Sequence, residues 1–522
     1  MVRNHAPLIA FLITALLFTF SQAYAYTEIT NCTNITQPGE YRLVNDIINP
    51  GFYVSNEYFC IDISSSDVVL DCQNHFIEGS SYMWSYGIHI EANYSNITIV
   101  NCVLRGWYYG IGSKYYSEHI NIKNITAYYN RHGIFLINSN YVTILNVNVS
   151  DNDYGGVYLK TNHSSISNII AKNDQIGVST EYSVNLTVSN VIAENCYYGV
   201  LIVGENITLL DIVVNSNLYS GVEVDDSNNV TIINVTSTYD SYGVYFSYSN
   251  NCTAINITAN YEYDGGIYIE YSDGSYFEGI TINSCAEGSY SCNGIYTWGS
   301  NNNTFYNFYI FNLTGDGISI NYNSYGNEFK KGIIEKVSGN GINIDSSGNN
   351  TFHNIIIKNS DKCGIYLSSS GYNLFYNNIF MNRNNTCFAG NIYPNYWNTT
   401  LKRGKNILGG LLIGGNFWGR PDGKSILDEL KYAIIEGIYT HPYDLLGDGT
   451  NVDYHPLARV VFVVPPIFKS LVGLGMGIAF IMGAITLLFG IDFSKNPLSS
   501  IILVMIGLAV MLLMFTYLWE ML

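Results

Sequence analysis

The chain has 522 residues, more than one average domain, so the sequence predicts one long domain with appendages. Only 12% of the residues are charged and the formal net charge is −18, which disfavours nucleic acid and anionic membrane surfaces as partners. Between Lys172 and Lys330 there is no Lys or Arg, yet 17 Asp or Glu residues lie there. The middle of the molecule is therefore expected to carry a strong negative field.

Residues 1–25 have the pattern of a signal peptide. Arg3 supplies a positive charge, Leu8 to Phe20 form an apolar core, and Ala23-Tyr24-Ala25 is a small-x-small cleavage site. An N-terminal membrane anchor that is not cleaved is the alternative. Export would make the ten Cys residues disulfide candidates. Residues 26–64 are expected to form an N-terminal cap, because the open end of a repeat array needs a cover.

Residues 65–390 consist of a repeat. A Gly followed by Ile or Val recurs every 21 to 28 residues, and a column rich in Asn follows each Gly by 12 to 14 residues. The segments between them alternate apolar and polar residues, which predicts strands with one face inward and no helix. We therefore predict an all-β parallel β-helix of about 13 rungs. A leucine-rich repeat is the alternative, but it requires Leu at fixed positions where these strands use Ile and Val.

The Asn column is expected to form the corners of the coil. Aligned Asn side chains can hydrogen-bond along a stack, and Asn tolerates the left-handed backbone that a sharp corner needs. Asn234 belongs to this column, so its side chain is expected to be engaged.

Residues 391–459 break the period and are expected to cap the other end of the coil. The stretch NYWNTTLKRGKNILGGLLIGGNFWG (Asn395 to Gly419) and the later motifs HPYD (His441 to Asp444) and NVDYHPL (Asn451 to Leu457) stand here. Together with the repeat, these motifs resemble the NosD-like family of archaeal surface proteins and the right-handed parallel β-helix of carbohydrate-binding and sugar-hydrolase domains. The resemblance implies a right-handed coil, and it carries copper binding as its traditional label.

Two uncharged apolar segments, residues 470–491 and 501–518, are each long enough to cross a hydrocarbon core of about 30 Å. The link between them, residues 492–500, is too short for a domain, so the sequence predicts a transmembrane helical hairpin with a cytoplasmic turn. A buried hairpin in a soluble protein is the alternative. The prediction makes the cell membrane a partner and places the β-helix on its extracellular face.

The acids of the stretch GVEVDDSNN are the candidate catalytic groups. Glu223 and Asp225 are two residues apart on one strand, which places their Cβ atoms about 6.5 Å apart on the same face. That separation suits an inverting glycosidase, in which the two carboxyl groups lie about 6.5–9.5 Å apart. Exposed acids on a strand are, however, more often only solvated, so we favour a non-catalytic role; if the protein is an enzyme, it is a glycoside hydrolase.

Aromatic residues in the same column predict a glycan-binding surface. Tyr245, Tyr268 and Tyr296 follow on successive rungs, and Glu270 lies two residues after Tyr268. Aromatic faces suit the apolar face of a sugar ring. Tyr also has a high strand propensity, which explains it without any ligand.

Calcium is the cofactor that the acidic residues could hold. The candidate ligands are Glu223, Asp225, Asp226, Asp240 and Asp264. Copper, which the resemblance implies, requires clustered His, Met or Cys, and the nine His residues are scattered over the sequence. A NosD-like accessory role in metal handling stays a third hypothesis.

Sequons and cysteines complete the candidate sites. Seven Asn residues of Asn-x-Ser/Thr triplets recur where a turn could expose them for glycosylation: Asn96, Asn185, Asn206, Asn229, Asn251, Asn302 and Asn349. Cys285 and Cys292 are expected to close their own loop, and Cys72 and Cys102 occupy equivalent positions on successive rungs, within disulfide range. Together the features predict a membrane-anchored surface protein that has a structural or recognition role and contacts glycans or envelope proteins.

Overall fold

The computed structural model describes residues 26–459 except 50, 55, 81–82 and 431–432. The predicted signal peptide and the predicted membrane hairpin with its turn lie outside the described residues. Within the described part of the chain, no helix is long and apolar enough to cross a membrane. The only helical element found there is the short 3-10 turn Asp428–Leu430.

The described residues form a right-handed parallel β-helix of about 14 turns, which confirms the predicted all-β coil. Its strands stack into three faces, each a ladder of parallel pairs. The first face consists of Thr33–Ile35, Glu57–Ile63, Ser85–Ile90, Tyr109–Ser113, His132–Asn140, the start of Gly155–Lys172, Ile176–Thr180, Tyr198–Ile202, Ser220–Asp225, Tyr242–Ser247, Gly265–Glu270, Asn293–Trp298, Ile318–Asn321, Ile342–Asp345, Ile365–Ser368 and Thr386–Ala389.

The second and third faces are mostly made by single long strands that bend at a corner. They consist of Ser95–Arg105, Ser117–Tyr128, Thr143–Ser150, the rest of Gly155–Lys172, Ser183–Glu194, Thr208–Asn215, Thr231–Thr238, Thr253–Glu262, Tyr276–Cys285, Thr304–Leu313, Glu328–Val337 and Thr351–Ser360. Shorter strands extend the second face (Tyr26–Ile29, Gly39–Leu43, Val68–Asp71, Leu374–Tyr376) and the third (Ile47–Ile48, Phe76–Glu78, Ile379–Met381, Phe417–Gly419). The remaining strands are Phe52–Val54, Gly204–Glu205 and the antiparallel pairs Lys402–Arg403 with Leu412–Ile413, Ile434–Ile435 with Ile438–Tyr439, and Tyr443–Asp444 with Val452–Asp453.

The corner between the second and third faces lies at the predicted Asn column. Asn101, Asn124 and Asn146 have φ values of 56°, 55° and 57°. Asn124 Nδ2 donates to Asn101 Oδ1 at 2.9 Å, and Asn146 Nδ2 donates to Asn124 Oδ1 at 3.1 Å. The predicted left-handed corner and the stack of amides are thereby confirmed at these turns.

The recurring Gly is required by the close approach of successive turns. A Cβ on Gly199 would lie 2.4 Å from the carbonyl oxygen of Gly221, and one on Gly294 would lie 2.3 Å from that of Gly317. Any side chain at these positions would push the turns apart.

The interior contains a stack of aromatic rings near the C-terminal end of the coil. We call it the phenylalanine stack; its members are Phe277, Phe305, Phe329, Phe352, Phe375 and Trp397. Neighbouring ring centroids are 4.4–5.1 Å apart and the ring planes lie within 15° of parallel. Each ring is at most 1% exposed.

A second interior column is polar. Asn217 N donates to Asp240 Oδ1 at 2.6 Å, and Asp240 N donates to Glu262 Oε2 at 2.7 Å. Burial raises the pKa of Asp240 to about 6 and raises that of Glu262 well above its usual value, with the Asp240 carboxylate adding to the effect at Glu262. Farther up the column, burial raises the pKa of Asp174 to about 7.

The motifs that resemble the NosD-like ending build the C-terminal cap. Trp397 and Trp418 are fully buried, with centroids 5.7 Å apart. Trp397 Nε1 donates to Asn451 Oδ1 at 3.1 Å, and Trp418 Nε1 donates to Asp453 Oδ2 at 2.9 Å. The NVDYHPL motif therefore holds the two indoles of the preceding motif in place. At the other end, parallel pairing already begins at Tyr26–Ile29, inside the segment predicted as the cap.

Four disulfides lie in the described residues: Cys32–Cys60, Cys72–Cys102, Cys285–Cys292 and Cys363–Cys387. Both predicted pairs are among them. Cys196 and Cys252 are free and buried.

Candidate functional site

The outer surface of the first face carries most of the predicted site residues. On its strands the two residues that flank each outward position point into the core, as Val222 and Val224 do around Glu223. The register aligns Glu223 with Tyr245 and Tyr268, and Tyr268 in turn with Tyr296. A parallel outward column aligns Asp225, Ser247, Glu270 and Trp298. The structure thus brings together the candidate catalytic and ligand-binding residues.

The tyrosine rings form one continuous surface, which we call the tyrosine strip: Tyr198, Tyr219, Tyr242, Tyr245, Tyr268 and Tyr296. Tyr268 and Tyr296 stack with centroids 4.2 Å apart and planes 10° from parallel. Tyr245 meets Tyr268 edge to face at 5.1 Å. All but Tyr245 are half-buried, so one side of each of those rings packs on a neighbour and the rest contacts solvent.

Half of this strip was missed by the sequence reasoning. Tyr198 and Tyr242 come directly before the Gly of their turn, and Tyr219 comes two residues before it. Their rings join the strip at centroid distances of 5.4 Å between Tyr198 and Tyr219 and 4.9 Å between Tyr242 and Tyr268. The signal that could have revealed them is the frequent Tyr in the two positions before the recurring Gly.

Glu223 lies beneath the strip rather than on it. Its side chain faces outward, yet the residue is only 8% exposed, and Ser220 Oγ donates to its Oε2 at 2.9 Å. Burial raises the pKa of Glu223 to about 7, with a further contribution from the charge of Asp225. At neutral pH this carboxyl group is therefore close to half protonated and can either donate or accept a hydrogen bond.

Glu270 is already bound to the strip. The Tyr245 hydroxyl donates to Glu270 Oε2 at 2.5 Å. Burial raises the pKa of Tyr245, and this hydrogen bond adds to the effect, so Tyr245 stays protonated. The role of Glu270 within the strip is thus to orient the Tyr245 ring.

The five predicted calcium ligands do not form one group. Asp240 is fully buried in the polar column, where it accepts hydrogen bonds from Asn217 and Ser237. Asp226 and Asp264, by contrast, are exposed. Across the described residues, no three His, Cys, Asp or Glu side chains converge in a way that could hold a metal ion. Placing Asp240 on the acidic surface was wrong because its side chain turns inward at the corner before the first face.

The predicted glycosylation column lies on exposed left-handed turns. All seven Asn residues are exposed. Asn229 Nδ2 donates to Asn206 Oδ1 at 3.3 Å, just as Asn234 Nδ2 donates to Asp211 Oδ1 at 2.8 Å. The expected difference between Asn229 and Asn234 is therefore wrong, since both residues are exposed and both side-chain amides donate a hydrogen bond.

The fold and this surface define a right-handed parallel β-helix with an aromatic and acidic outer face. Residues 66–218 match the family model of the right-handed β-helix region, and residues 156–313 and 210–423 match that of NosD, described as periplasmic copper-binding protein. The two NosD matches together span just over half of the chain, so this chain belongs to the NosD family. No curated protein sequence matches it.

Several solved structures are similar in fold. Pectate lyase Pel9A has 15% identity and a TM-score of 0.32 over 45% of this chain and 70% of its own. The A-module of the Azotobacter vinelandii mannuronan C-5 epimerase AlgE6 has 15% identity and a TM-score of 0.32 over 76% of this chain and 94% of its own. The catalytic domain of a GH87 alpha-1,3-glucanase has 13% identity and a TM-score of 0.36 over 62% of this chain and 66% of its own. These similarities concern the fold alone.

The copper named by the family description has no matching ligand set in the described residues. Copper sites are built from clustered His, Met or Cys. Here His89 pairs with Asp62, His132 lies among aromatic rings, and the remaining described His residues join no group of metal-binding side chains. We therefore derive no chemistry from copper at these residues.

Proposed function

We propose that the protein binds a neutral polysaccharide along the tyrosine strip. The observation that carries this proposal is the continuous run of six tyrosine rings on one outer face. The strip extends over five turns, a length of about 20 Å at the strand spacing of about 4.8 Å. That length accommodates several sugar rings in a row.

The chemistry of the strip suits sugars. Aromatic faces stack on the apolar face of a sugar ring, and the hydroxyl and carboxyl groups among them, such as those of Tyr296 and Glu270, exchange hydrogen bonds with sugar hydroxyls. The absence of Lys and Arg from residues 173–329, together with 17 carboxylates, disfavours an acidic polysaccharide by charge repulsion.

The test is a binding measurement on the purified full-length protein with immobilised polysaccharides of three charge classes. Laminarin, starch and mannan are neutral, pectate and alginate are acidic, and chitosan is cationic. We expect binding to at least one neutral polysaccharide and none to the acidic ones. Binding to chitosan alone would instead identify a cation site, in which aromatic rings and acids hold ammonium groups. Binding to none of the neutral polymers contradicts the proposal.

A second candidate function is hydrolysis of such a polysaccharide by Glu223 and Asp225. The observation that favours it is the raised pKa of Glu223, which is typical of a general acid, beside the more exposed Asp225 on the same strand. Release of reducing ends from the neutral polymers, abolished by Asp225→Asn, would support it. Absent release, or release that Asp225→Asn leaves undiminished, would rule it out.

We also propose that the β-helix stands on the outer side of the cell membrane, anchored by the predicted hairpin. The four disulfides support this location, because such bonds persist mainly in oxidising compartments. Protease treatment of intact cells checks it: we expect the β-helix to be degraded or released. Complete protection, with degradation only after lysis, would contradict the location.

A further inference from the structure

A cleft at the N-terminal end of the first face contains a second cluster of polar and aromatic side chains. Its volume is about 600 Å³. The side chains that line it include Glu57, Asp62, Trp84, His89, Glu91 and Lys114. It belongs to the first turns of the coil, six turns before Glu223 in the ladder of the first face, so it shares no residue with the tyrosine strip.

His89 and Asp62 form a buried pair in this cleft. His89 Nδ1 lies 2.8 Å from Asp62 Oδ1, and the two residues are 5% and 8% exposed. An ionised carboxylate can only accept hydrogen bonds, so Nδ1 carries the proton and donates it. While the ring is neutral, this tautomer leaves Nε2 as an acceptor.

The acceptor at His89 Nε2 is unpaired. It is buried and has no hydrogen-bond partner among the described residues. The ring packs against Phe59 and Tyr86, each with its centroid 4.6 Å away, and these contacts restrict its rotation. A buried acceptor without a partner is unfavourable, and a ligand that donates to it removes that penalty.

The charges around the cleft restrict the ligand. Lys114 Nζ is held by Glu57 Oε1 at 2.9 Å and lies 4.1 Å from the centroid of the Trp84 ring. The charge of Lys114 is thus paired within the protein. The cleft also contains three carboxyl groups, those of Glu57, Asp62 and Glu91, against this one ammonium group. An anionic ligand is disfavoured, whereas a neutral ligand with hydroxyl donors suits both the carboxylates and Nε2.

The rim of the cleft supplies aromatic surface. Trp84 is 41% exposed and Tyr115 is 59% exposed. Such rings pack against the apolar face of a sugar. We propose that this cleft is a second saccharide-binding site, in which His89 Nε2 accepts a hydrogen bond from a sugar hydroxyl and the Trp84 and Tyr115 rings contact the sugar ring. The choice of ligand class rests on the proposed function, but the residues are independent of the tyrosine strip.

The test uses the full-length protein with ¹⁵N-labelled histidine and follows the His89 ring nitrogens by NMR. The probes are methyl glucoside, methyl galactoside and methyl mannoside and the tetrasaccharides of the corresponding neutral polymers. We expect at least one of them to shift the His89 Nε2 resonance saturably, and Tyr268→Ala, which changes only the strip, to leave that shift unaltered. His89→Phe should weaken binding of the same sugar about tenfold at this site.

The outcomes separate this inference from the proposed function. Sugar binding that depends on Tyr268 without any shift at His89 overturns the second site and leaves the strip in place. A shift at His89 with no binding to the strip supports the second site and contradicts the proposed function. If His89→Phe fails to fold, as judged by its circular dichroism spectrum, the titration of the unchanged protein still decides. The inference is overturned if none of the probes shifts the His89 Nε2 resonance.

Discussion

The phenylalanine stack and the tyrosine strip are two columns of aromatic rings built by the same repeat. Both place one ring on each of several successive turns at the spacing of the strands. Inside, the ring planes lie within 15° of parallel and the rings are buried. Outside, the angle is 10° between Tyr268 and Tyr296 but 81° between Tyr245 and Tyr268.

The difference shows how one period serves two purposes. The interior rings are confined by neighbours on every side, so their arrangement is uniform and contributes stability. The outer rings other than Tyr245 are partly exposed, and the hydroxyl group of Tyr245 has a polar partner in Glu270. Their arrangement is irregular because they are not packed on every side. The two columns are therefore expected to respond differently to substitution.

The largest effect is expected from Phe329→Ala in the phenylalanine stack. Removing this buried ring opens a cavity between Phe305 and Phe352 and should lower the free energy of unfolding by about 3–5 kcal/mol. The midpoint of urea unfolding, followed by circular dichroism, measures it. Tyr309→Ala, an outward ring that is 38% exposed, is the matched control and should lower it much less. Equal losses would show that the inner stack has no special role in stability.

The next effect concerns the polar interior column and the pH. Asp174, Asp240 and Glu262 bind protons more tightly when folded, because burial raises their pKa values. The contribution of Asp174 and Asp240 to stability is therefore complete below about pH 4 and is lost as the pH rises towards 6–7, and that of Glu262 changes in the same direction. Melting temperatures should fall between pH 5 and pH 8. Asp174→Asn should flatten this slope, whereas the exposed Asp226→Asn should not. A slope unchanged by Asp174→Asn would refute the assignment.

A smaller effect, on binding rather than stability, is expected from Tyr268→Ala in the tyrosine strip. The central ring of the strip contacts Tyr242, Tyr245 and Tyr296, and losing it should weaken binding of the neutral polysaccharide about tenfold. Titration calorimetry measures the affinity. Tyr290→Ala is the control, because this fully exposed side chain is not part of the tyrosine strip and its loss should leave binding unchanged. Equal affinity of both variants contradicts the role of the strip.

The smallest effect is expected from Glu223→Gln. Gln resembles the protonated carboxyl group, which burial favours, so the variant should be more stable than the native protein by about 1 kcal/mol at pH 8 and nearly equal to it at pH 5. Thermal unfolding at the two pH values measures the difference. Glu205→Gln, at an exposed position of the short strand Gly204–Glu205, should show no such dependence. A gain of the same size at pH 5 would contradict the assigned cause.

The coil and the outward columns of the strip could be predicted because the repeat determines both. The recurring Gly fixes the register, so positions such as Tyr245 and Tyr268 follow from counting along a strand. Asp240 could not be placed, since strand alternation stops at corners and an acid in a polar turn looks exposed there. The pair of Asp62 and His89 was missed because their residues lie 27 positions apart and Asp62 falls in the segment assigned to the cap.

The cap residues Asn451 and Asp453 also end two ladders of hydrogen bonds. Asn395 N donates to Asn451 Oδ1 at 3.1 Å, and Asn416 N donates to Asp453 Oδ2 at 2.8 Å, where further turns would otherwise supply the acceptors. Exposed strand edges with free donors recruit other chains and grow into fibres. By saturating these donors with its own side chains, the protein removes the template for end-to-end polymerisation. These two donors are thus unavailable to a second copy of the chain.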